Sequence, residues 1–346
     1  MAQLRLSTQD YLDSNASGRA FAIILIVLCH IPATHRFWEP LSPFISGGKL
    51  AVSLFCFYSG LLLQYQLYHK KGNFEIKPWL LKRFLRLYPS YWIGLAVTLI
   101  VSCLLKKKVY TLTTIFLNFL GIPLLFGQPV ISAGYGGPYW FISLIILCYI
   151  LFIFVKDTEY KGVLFFLSML LSLSAIYFKS GLNYLAVLAF PSFFLGLFYA
   201  KFLDKRQSPS LAVSFITTAM LFVVLIFCYR YSYFMKIPDE YNLYIEMLGC
   251  VCLSVIALFL SYCIGYFCVF FRKFSKRLFK CLTWLGTVSF GVYCIHEPLL
   301  IILEKLTAAD FAWFGLIIYF SAVIIASYFL SNLEKRIKII FRQKPS

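Results

Sequence analysis

The sequence predicts an all-α polytopic membrane protein with about ten transmembrane helices and a re-entrant or interfacial segment at residues 111–126. Hydrophobic residues make up 61% of the 346 residues and charged residues only 13%, whereas a soluble domain has about 25% charged residues. The mean hydropathy of +0.82 is too high for a water-soluble surface. The net charge of +18 comes from residues between the apolar stretches, which indicates loops that orient helices and not a nucleic-acid surface.

Ten apolar stretches are predicted to cross the membrane. They are residues 20–30 (extended by its flanks), 50–68, 87–105, 139–155, 163–178, 184–200, 211–229, 245–271, 281–303 and 311–333. Residues 1–17 are polar and are expected to form a cytoplasmic N-terminal segment. Residues 18–333 are expected to form a single transmembrane domain, and residues 334–346 a basic cytoplasmic tail.

Residues 111–126 are apolar but short, and Gly121 and Pro123 interrupt them. With ten spans and both termini cytoplasmic, 23 of the 32 Lys and Arg residues lie on the cytoplasmic side. An eleventh span at 111–126 would leave only 12 there. The positive-inside rule therefore favours ten spans in the inner (plasma) membrane, with residues 111–126 shielded by protein or water on the outer side.

Ionisable residues inside a span are costly and indicate function. Arg19 opens the first span and His30 closes it toward the outer half. Eleven positions at 100° each return to nearly the same helix face, about 16 Å further along the axis. The alternative is a snorkelling arginine and an interfacial histidine that a loop carbonyl satisfies.

A second candidate site is the cationic sequence that contains Lys82, Arg83 and Arg86, on the predicted cytoplasmic side. Arg83 and Arg86 are three positions apart, so their guanidinium groups project from one helix face and suit a polyphosphate. The alternative is a positive loop that binds lipid head groups.

His296 and Glu297 lie just before Pro298, in a span that should carry them to the outer half. The carboxylate can fix a histidine tautomer or pair with a cation, although a helix end at the interface is the alternative. Ser59 precedes Gly60 in the second span, where close helix packing is the simpler explanation. Tyr139 and Trp140 follow a Gly/Pro-rich stretch and offer aromatic faces that suit a sugar ring.

No metal site is expected. The eleven cysteines lie in or beside apolar stretches, where thiols behave as small hydrophobic groups. Cys250 and Cys252 form a C-x-C pair, but no neighbouring ligands complete a tetrahedral zinc site.

These motifs, in this order, resemble the integral-membrane acyltransferase family three, over residues 18 to about 300. The matching blocks are Arg19 with His30, the segment 52–60 ending in Ser59-Gly60, the segment 82–92 with Lys82, Arg83, Arg86, Pro89, Tyr91 and Trp92, Tyr139-Trp140 with Tyr149, Phe194 to Gly196, and Leu285 to His296. Each block alone is weak, but their order is specific. The chain resembles the stand-alone type, without an appended extracytoplasmic domain.

The resemblance implies an O-acyltransferase, with acetyl-CoA (or another acyl-CoA) as donor and a surface or lipid-linked glycan as acceptor. Lys82, Arg83 and Arg86 would bind the nucleotide phosphates, and the pantetheine arm would pass Arg19 toward His30. His30 would act as general base on an acceptor hydroxyl or, alternatively, carry the acyl group covalently. Ser59, Tyr139, Trp140, His296 and Glu297 would form acceptor or oxyanion contacts. Membrane lipids are further partners, and nucleic acid is not one.

Two other classes suit ten spans. A transporter or flippase of lipid-linked glycans also needs intramembrane ionisable residues, but no pair of interrupted segments recurs in corresponding halves of the sequence. A glycan polymerase would be expected to carry a large outer loop, and no predicted loop exceeds about forty residues.

Overall fold

The computed structural model describes residues 6–31, 47–69, 74–134, 137–178, 183–203, 208–234, 239–306 and 313–342. Twelve α-helices and one 3₁₀ turn make up the regular structure of these residues, and no strand occurs among them. The helices are α1 (Thr8–Asp13), α2 (Asn15–His30), α3 (Gly47–His69), α4 (Ile76–Lys106), α5 (Leu112–Phe119), α6 (Trp140–Val155), α7 (Lys161–Tyr177), α8 (Tyr184–Ala200), α9 (Leu211–Phe234), α10 (Asp239–Phe274), α11 (Lys276–Leu306) and α12 (Trp313–Arg342).

Six helical stretches within the described residues are long and apolar enough to cross a membrane. They are Thr8–His30, Gly48–His69, Ile76–Lys106, Tyr244–Phe274, Lys276–Lys305 and Gly315–Ile340. Four shorter apolar stretches of 10–17 residues fall at predicted spans, at Trp140–Val155, Lys161–Tyr177, Ala186–Ala200 and Leu211–Phe227. The all-α polytopic prediction is thus confirmed, while the number of ten spans is not.

The helices begin and end differently from the sequence prediction at the N-terminus. α1 lies within the segment expected to be polar and non-spanning. A helix can begin there because the Ser7 side chain caps it, accepting a hydrogen bond from the Asp10 backbone N–H at 3.1 Å. Asp10 also forms an ion pair with Arg272 of α10. The polar residues at the start of the chain therefore supply caps and pairs, which allow helical structure to begin well before residue 20.

The chain divides into two compact units. The first unit comprises Met1–Ala22, Ser46–Gly72 and Leu147–Gly286. Its core includes α3 and α8, which cross at glycines: a Cβ added to Gly60 would lie 2.1 Å from the Phe193 carbonyl oxygen. The sequence allowed for close packing at Ser59-Gly60, and the backbone at Gly60 requires it.

The second unit comprises Ile23–Ile45, Asn73–Ile146 and Thr287–Ser346. Within it α12 packs against α4, and a small apolar cluster of Val101, Ala133 and Ile301 joins α4 and α11 to the loop that follows the 3₁₀ turn. This unit holds most of the residues that the sequence predicted to be functional.

The segment predicted not to cross the membrane forms α5 and a 3₁₀ turn at Pro123–Phe126. Eight residues of helix rise about 12 Å, less than half of a bilayer core. The backbone carbonyls of residues 118–121, where α5 ends, each accept a side-chain hydrogen bond. Tyr91 donates to the carbonyl of Asn118 and Trp92 to that of Phe119 at 2.9 Å. Tyr88 donates to the carbonyl of Leu120 at 2.7 Å, and Ser143 to that of Gly121 at 2.9 Å.

Candidate active site

His30 is the last residue of α2 and is partly buried in the second unit. Its Nδ1 lies 2.7 Å from the Ile26 carbonyl oxygen. Because a carbonyl oxygen can only accept, Nδ1 carries the proton and donates it. Nε2 of a neutral His30 ring therefore holds a lone pair, which is the form that a general base requires.

His296 of α11 lies beside His30. The two ring centroids are 4.9 Å apart and the rings meet edge to face, at an interplanar angle of 69°. His296 is fully buried, and its Nδ1 lies 2.8 Å from the Tyr293 carbonyl oxygen, which again assigns the proton to Nδ1. Its Nε2 has no hydrogen-bond partner among the described residues. Two imidazoles, each donating from Nδ1 to a carbonyl of its own helix, thus come together from helices far apart in sequence.

Glu297 directly follows His296 in the sequence and is fully buried. Its Oε1 accepts a hydrogen bond from the Ser132 hydroxyl at 2.8 Å and one from the Gly134 backbone N–H at 3.2 Å. These two donors satisfy the hydrogen-bonding capacity of a buried polar oxygen. Ser132 and Gly134 are not among the residues predicted from the sequence, although the Gly/Pro-rich composition of residues 127–138 was a signal for them.

The Ser132 carbonyl faces the end of α4. It accepts hydrogen bonds from Lys108 Nζ at 3.1 Å and from the Tyr110 hydroxyl at 3.2 Å. The loop that holds Glu297 is therefore fixed on its other side by residues immediately after a membrane-spanning helix. This leaves little freedom for the carboxylate to move.

Tyr139 and Trp140 lie where α6 begins, and both are buried. The Tyr139 hydroxyl donates a hydrogen bond to the Cys294 carbonyl oxygen of α11 at 2.7 Å and lies 2.8 Å from the Thr98 hydroxyl. The Tyr293 hydroxyl donates to the Pro138 carbonyl. Of the Gly/Pro-rich stretch before α6, residues 135 and 136 lie outside the described residues, while Ser132, Gly134 and Pro138 hydrogen-bond to side chains of α11.

The cationic cluster lies near the start of α4. Lys82 is exposed, whereas Arg83 and Arg86 are partly buried, and the Arg83 guanidinium lies over the Trp79 ring, 5.5 Å from its centroid. Arg86 and Lys106 are twenty positions apart on one helix, which is about 30 Å. That distance equals the hydrocarbon thickness of a bilayer, so α4 carries cations at both ends of its apolar stretch.

Arg19 and Ser59 belong to the first unit. Arg19 is partly buried on α2 and follows Gly18, which packs against the Tyr58 hydroxyl of α3. That hydroxyl lies against the backbone of Gly18, where an added Cβ would be only 2.4 Å away. Ser59 is partly buried on the same helix. His30, His296, Glu297, Tyr139 and Trp140 belong to the second unit.

The helices and the side chains within these units define a helical membrane protein with paired imidazoles in one unit. Among the described residues, no group of three or more His, Cys, Asp or Glu side chains is arranged to hold a metal ion. The model of the acyltransferase 3 family, described as an acyltransferase domain, matches residues 13–332. The chain belongs to this family and is a membrane acyltransferase. No significant match was found among curated proteins or among solved structures.

Proposed function

We propose that this acyltransferase moves an acetyl group from cytoplasmic acetyl-CoA, or another acyl group from its CoA thioester, to a hydroxyl of a surface or lipid-linked glycan. The observation that carries the proposal is the imidazole of His30. Its Nδ1 proton is bound to the Ile26 carbonyl, 2.7 Å away, so Nε2 is available as a base. A hydroxyl acceptor needs such a base because its own proton must leave as the new ester forms.

His30 acts as the general base in the proposed reaction. Its Nε2 takes the proton of the acceptor hydroxyl while the hydroxyl oxygen attacks the thioester carbonyl carbon. The new C–O bond forms, the C–S bond breaks, and the CoA thiolate leaves and takes the proton from His30. General-base catalysis of this kind contributes about 10²–10⁴-fold to the rate. His296, Ser59 and Trp140 remain proposed contacts for the acceptor or for the oxyanion.

The CoA phosphates are proposed to bind Lys82, Arg83 and Arg86. The two guanidinium groups are three positions apart on α4, and planar guanidinium groups suit bidentate binding of phosphate. Arg19 is proposed to bind a phosphate or to orient the donor. The excess of Lys and Arg in segments predicted to be cytoplasmic supports an inner-membrane protein with both termini cytoplasmic, so that this cluster faces the compartment that supplies acyl-CoA.

Transfer of a radiolabelled acetyl group from acetyl-CoA to glycan, by purified protein in detergent or proteoliposomes, tests the proposal. His30→Ala is expected to reduce transfer by at least about 10²-fold, while its thermal unfolding and acetyl-CoA affinity stay close to those of the unsubstituted protein. His69→Ala is the matched control, because that histidine ends α3 and is exposed. Full transfer activity in His30→Ala would remove His30 from the mechanism. A wild-type protein that moves lipid-linked glycan without acylating it would replace the proposed reaction by that of a flippase.

The donor site is tested separately by acetyl-CoA binding. Arg83→Ala with Arg86→Ala is expected to weaken the affinity at least tenfold and to reduce its dependence on salt concentration, because two charge-assisted contacts are lost. Lys77→Ala, on the exposed first turn of the same helix, is the control. Unchanged affinity in the double variant would assign these arginines to lipid head groups.

A further inference from the structure

α11 contains a proline two positions after His296. Pro298 has no backbone N–H, so the carbonyl of Cys294, four positions earlier, loses its usual helical donor. Away from bulk water, an unsatisfied backbone group in a membrane-spanning helix is costly. The carbonyl therefore needs a hydrogen bond from another part of the protein.

The Tyr139 hydroxyl provides this hydrogen bond. It donates to the Cys294 carbonyl oxygen at 2.7 Å, and Tyr139 is fully buried. The single phenol proton of Tyr139 is donated to the carbonyl oxygen. The Thr98 hydroxyl, 2.8 Å away, must therefore be the donor to the Tyr139 oxygen. Each polar group in the chain from Thr98 to Cys294 is thereby satisfied.

The neighbouring helix accommodates this arrangement. A Cβ on Gly94 of α4 would lie 2.5 Å from the Cys294 carbonyl oxygen and 3.0 Å from the Tyr139 hydroxyl oxygen. Only a residue without a side chain fits that position of α4. Because Gly94 has no Cβ, the Tyr139 hydroxyl has room beside the Cys294 carbonyl. Because Pro298 has no N–H, that carbonyl needs the hydroxyl as its donor.

The turn of α11 that carries His296 is held at further points. The Glu297 carboxylate is bound by Ser132 and Gly134, and the Tyr319 hydroxyl of α12 donates to the His296 carbonyl at 3.3 Å. The hydrogen bond of Tyr139 differs from these because it fills a gap in the backbone pattern of the helix itself. Its loss would leave the helix with a missing hydrogen bond one turn before Pro298.

We propose that Tyr139 is a positioning residue, whose hydroxyl replaces the backbone N–H missing at Pro298 and so fixes the turn of α11 that places His296 against His30. Tyr139 then acts through α11 and not by touching the acceptor. The catalytic consequence rests on the proposed function, whereas the structural part does not.

The test is a double-mutant cycle. Tyr139→Phe removes the donor and is expected to lower the thermal unfolding temperature by about 2–4 °C and kcat by about tenfold, with KM nearly unchanged. Pro298→Ala restores a backbone N–H and is expected to retain both properties. In the double variant the new N–H can reach the Cys294 carbonyl, so we expect unfolding temperature and kcat to recover most of the loss.

A direct acceptor contact by Tyr139 predicts a different pattern. Tyr139→Phe would then reduce activity equally with proline or alanine at position 298, and such additivity would overturn the proposal. An unchanged unfolding temperature in Tyr139→Phe would overturn it as well. Thr98→Val is a milder variant: its effect should disappear in the Tyr139→Phe background, because both act through one hydroxyl.

The unfolding temperatures keep this proposal separate from the proposed function. If the protein transfers no acyl group to any glycan, the stability cycle still decides whether Tyr139 and Pro298 are coupled. If the stability cycle shows no coupling while transfer activity is present, the positioning role is wrong and the proposed function stands.

Discussion

Replacing either glycine at the crossing of α3 and α8 is expected to destabilise the first unit. A Cβ on Gly60 would lie 2.1 Å from the Phe193 carbonyl oxygen, and a Cβ on Gly196 would lie 2.2 Å from the Phe57 carbonyl oxygen. Ordinary carbon–oxygen contacts are about 3.3 Å or longer. A single methyl group must therefore push two backbones apart by roughly 1 Å.

The magnitude follows from the opposing effects. Overpacking of this kind costs about 1–3 kcal/mol, or more where the atom met is backbone, and separation by 1 Å also weakens the dispersion contacts along the crossing. Alanine in a helix gains about 0.5–1 kcal/mol over glycine. The net effect of Gly60→Ala is thus a lower free energy of unfolding. Gly60→Ala with Gly196→Ala should cost less than the sum of the single variants, because one separation of the helices relieves both clashes.

Thermal unfolding of the purified protein in detergent measures this effect. Gly162→Ala is the matched control in the same unit, since its Cβ would meet only the Phe198 ring, at 3.1 Å, and a side chain can shift. We expect Gly60→Ala and Gly196→Ala to unfold several degrees below this control. Equal unfolding temperatures for all three would refute the close crossing and return Ser59-Gly60 to a purely functional interpretation.

Three further outcomes are expected from the second unit. Glu297→Gln keeps an oxygen that accepts from Ser132 and should retain more stability than Glu297→Ala, as measured by thermal unfolding; equal losses would mean that the acceptor oxygen is unimportant. Asn118→Leu removes three hydrogen bonds of the Asn118 side chain, two that it donates to the Thr114 and Pro129 carbonyls and one that it accepts from the Ile131 N–H. At roughly 1 kcal/mol or more for each bond, the free energy of unfolding should fall by several kcal/mol. Gly94→Ala should reduce acyl transfer through α11 while leaving acetyl-CoA affinity unchanged, and an unaffected transfer rate would contradict the tight contact described for that glycine.

The helical class could be predicted because it depends on local composition. His30 and His296 were each expected toward the outer half of a span. Their contact at 4.9 Å could not be predicted, because no periodicity within one helix encodes the rotation of another. By contrast, the prediction that Arg83 and Arg86 share a helix face required only their spacing of three positions within one helix. Both residues lie on α4.

The loop residues around Glu297 were not predictable for a different reason. Ser132 and Gly134 are ordinary loop residues, and their partner is more than 160 positions away in the sequence. The role of the Tyr139 hydroxyl was also hidden, since a tyrosine before a span is equally suited to a sugar ring. Only the combination of Pro298 with the neighbouring backbone identifies the carbonyl that the hydroxyl binds.

The hydrogen bonds at the end of α5 have a consequence for biogenesis. Tyr88, Tyr91 and Trp92, which donate to three of those carbonyls, belong to the helix that is synthesised just before α5. Ser143, the fourth donor, follows soon after. An apolar segment too short to cross the bilayer therefore leaves the ribosome when most of the donors for its open backbone already exist. Nascent α5 can fold onto its predecessor at once, without first crossing the bilayer as a separate helix.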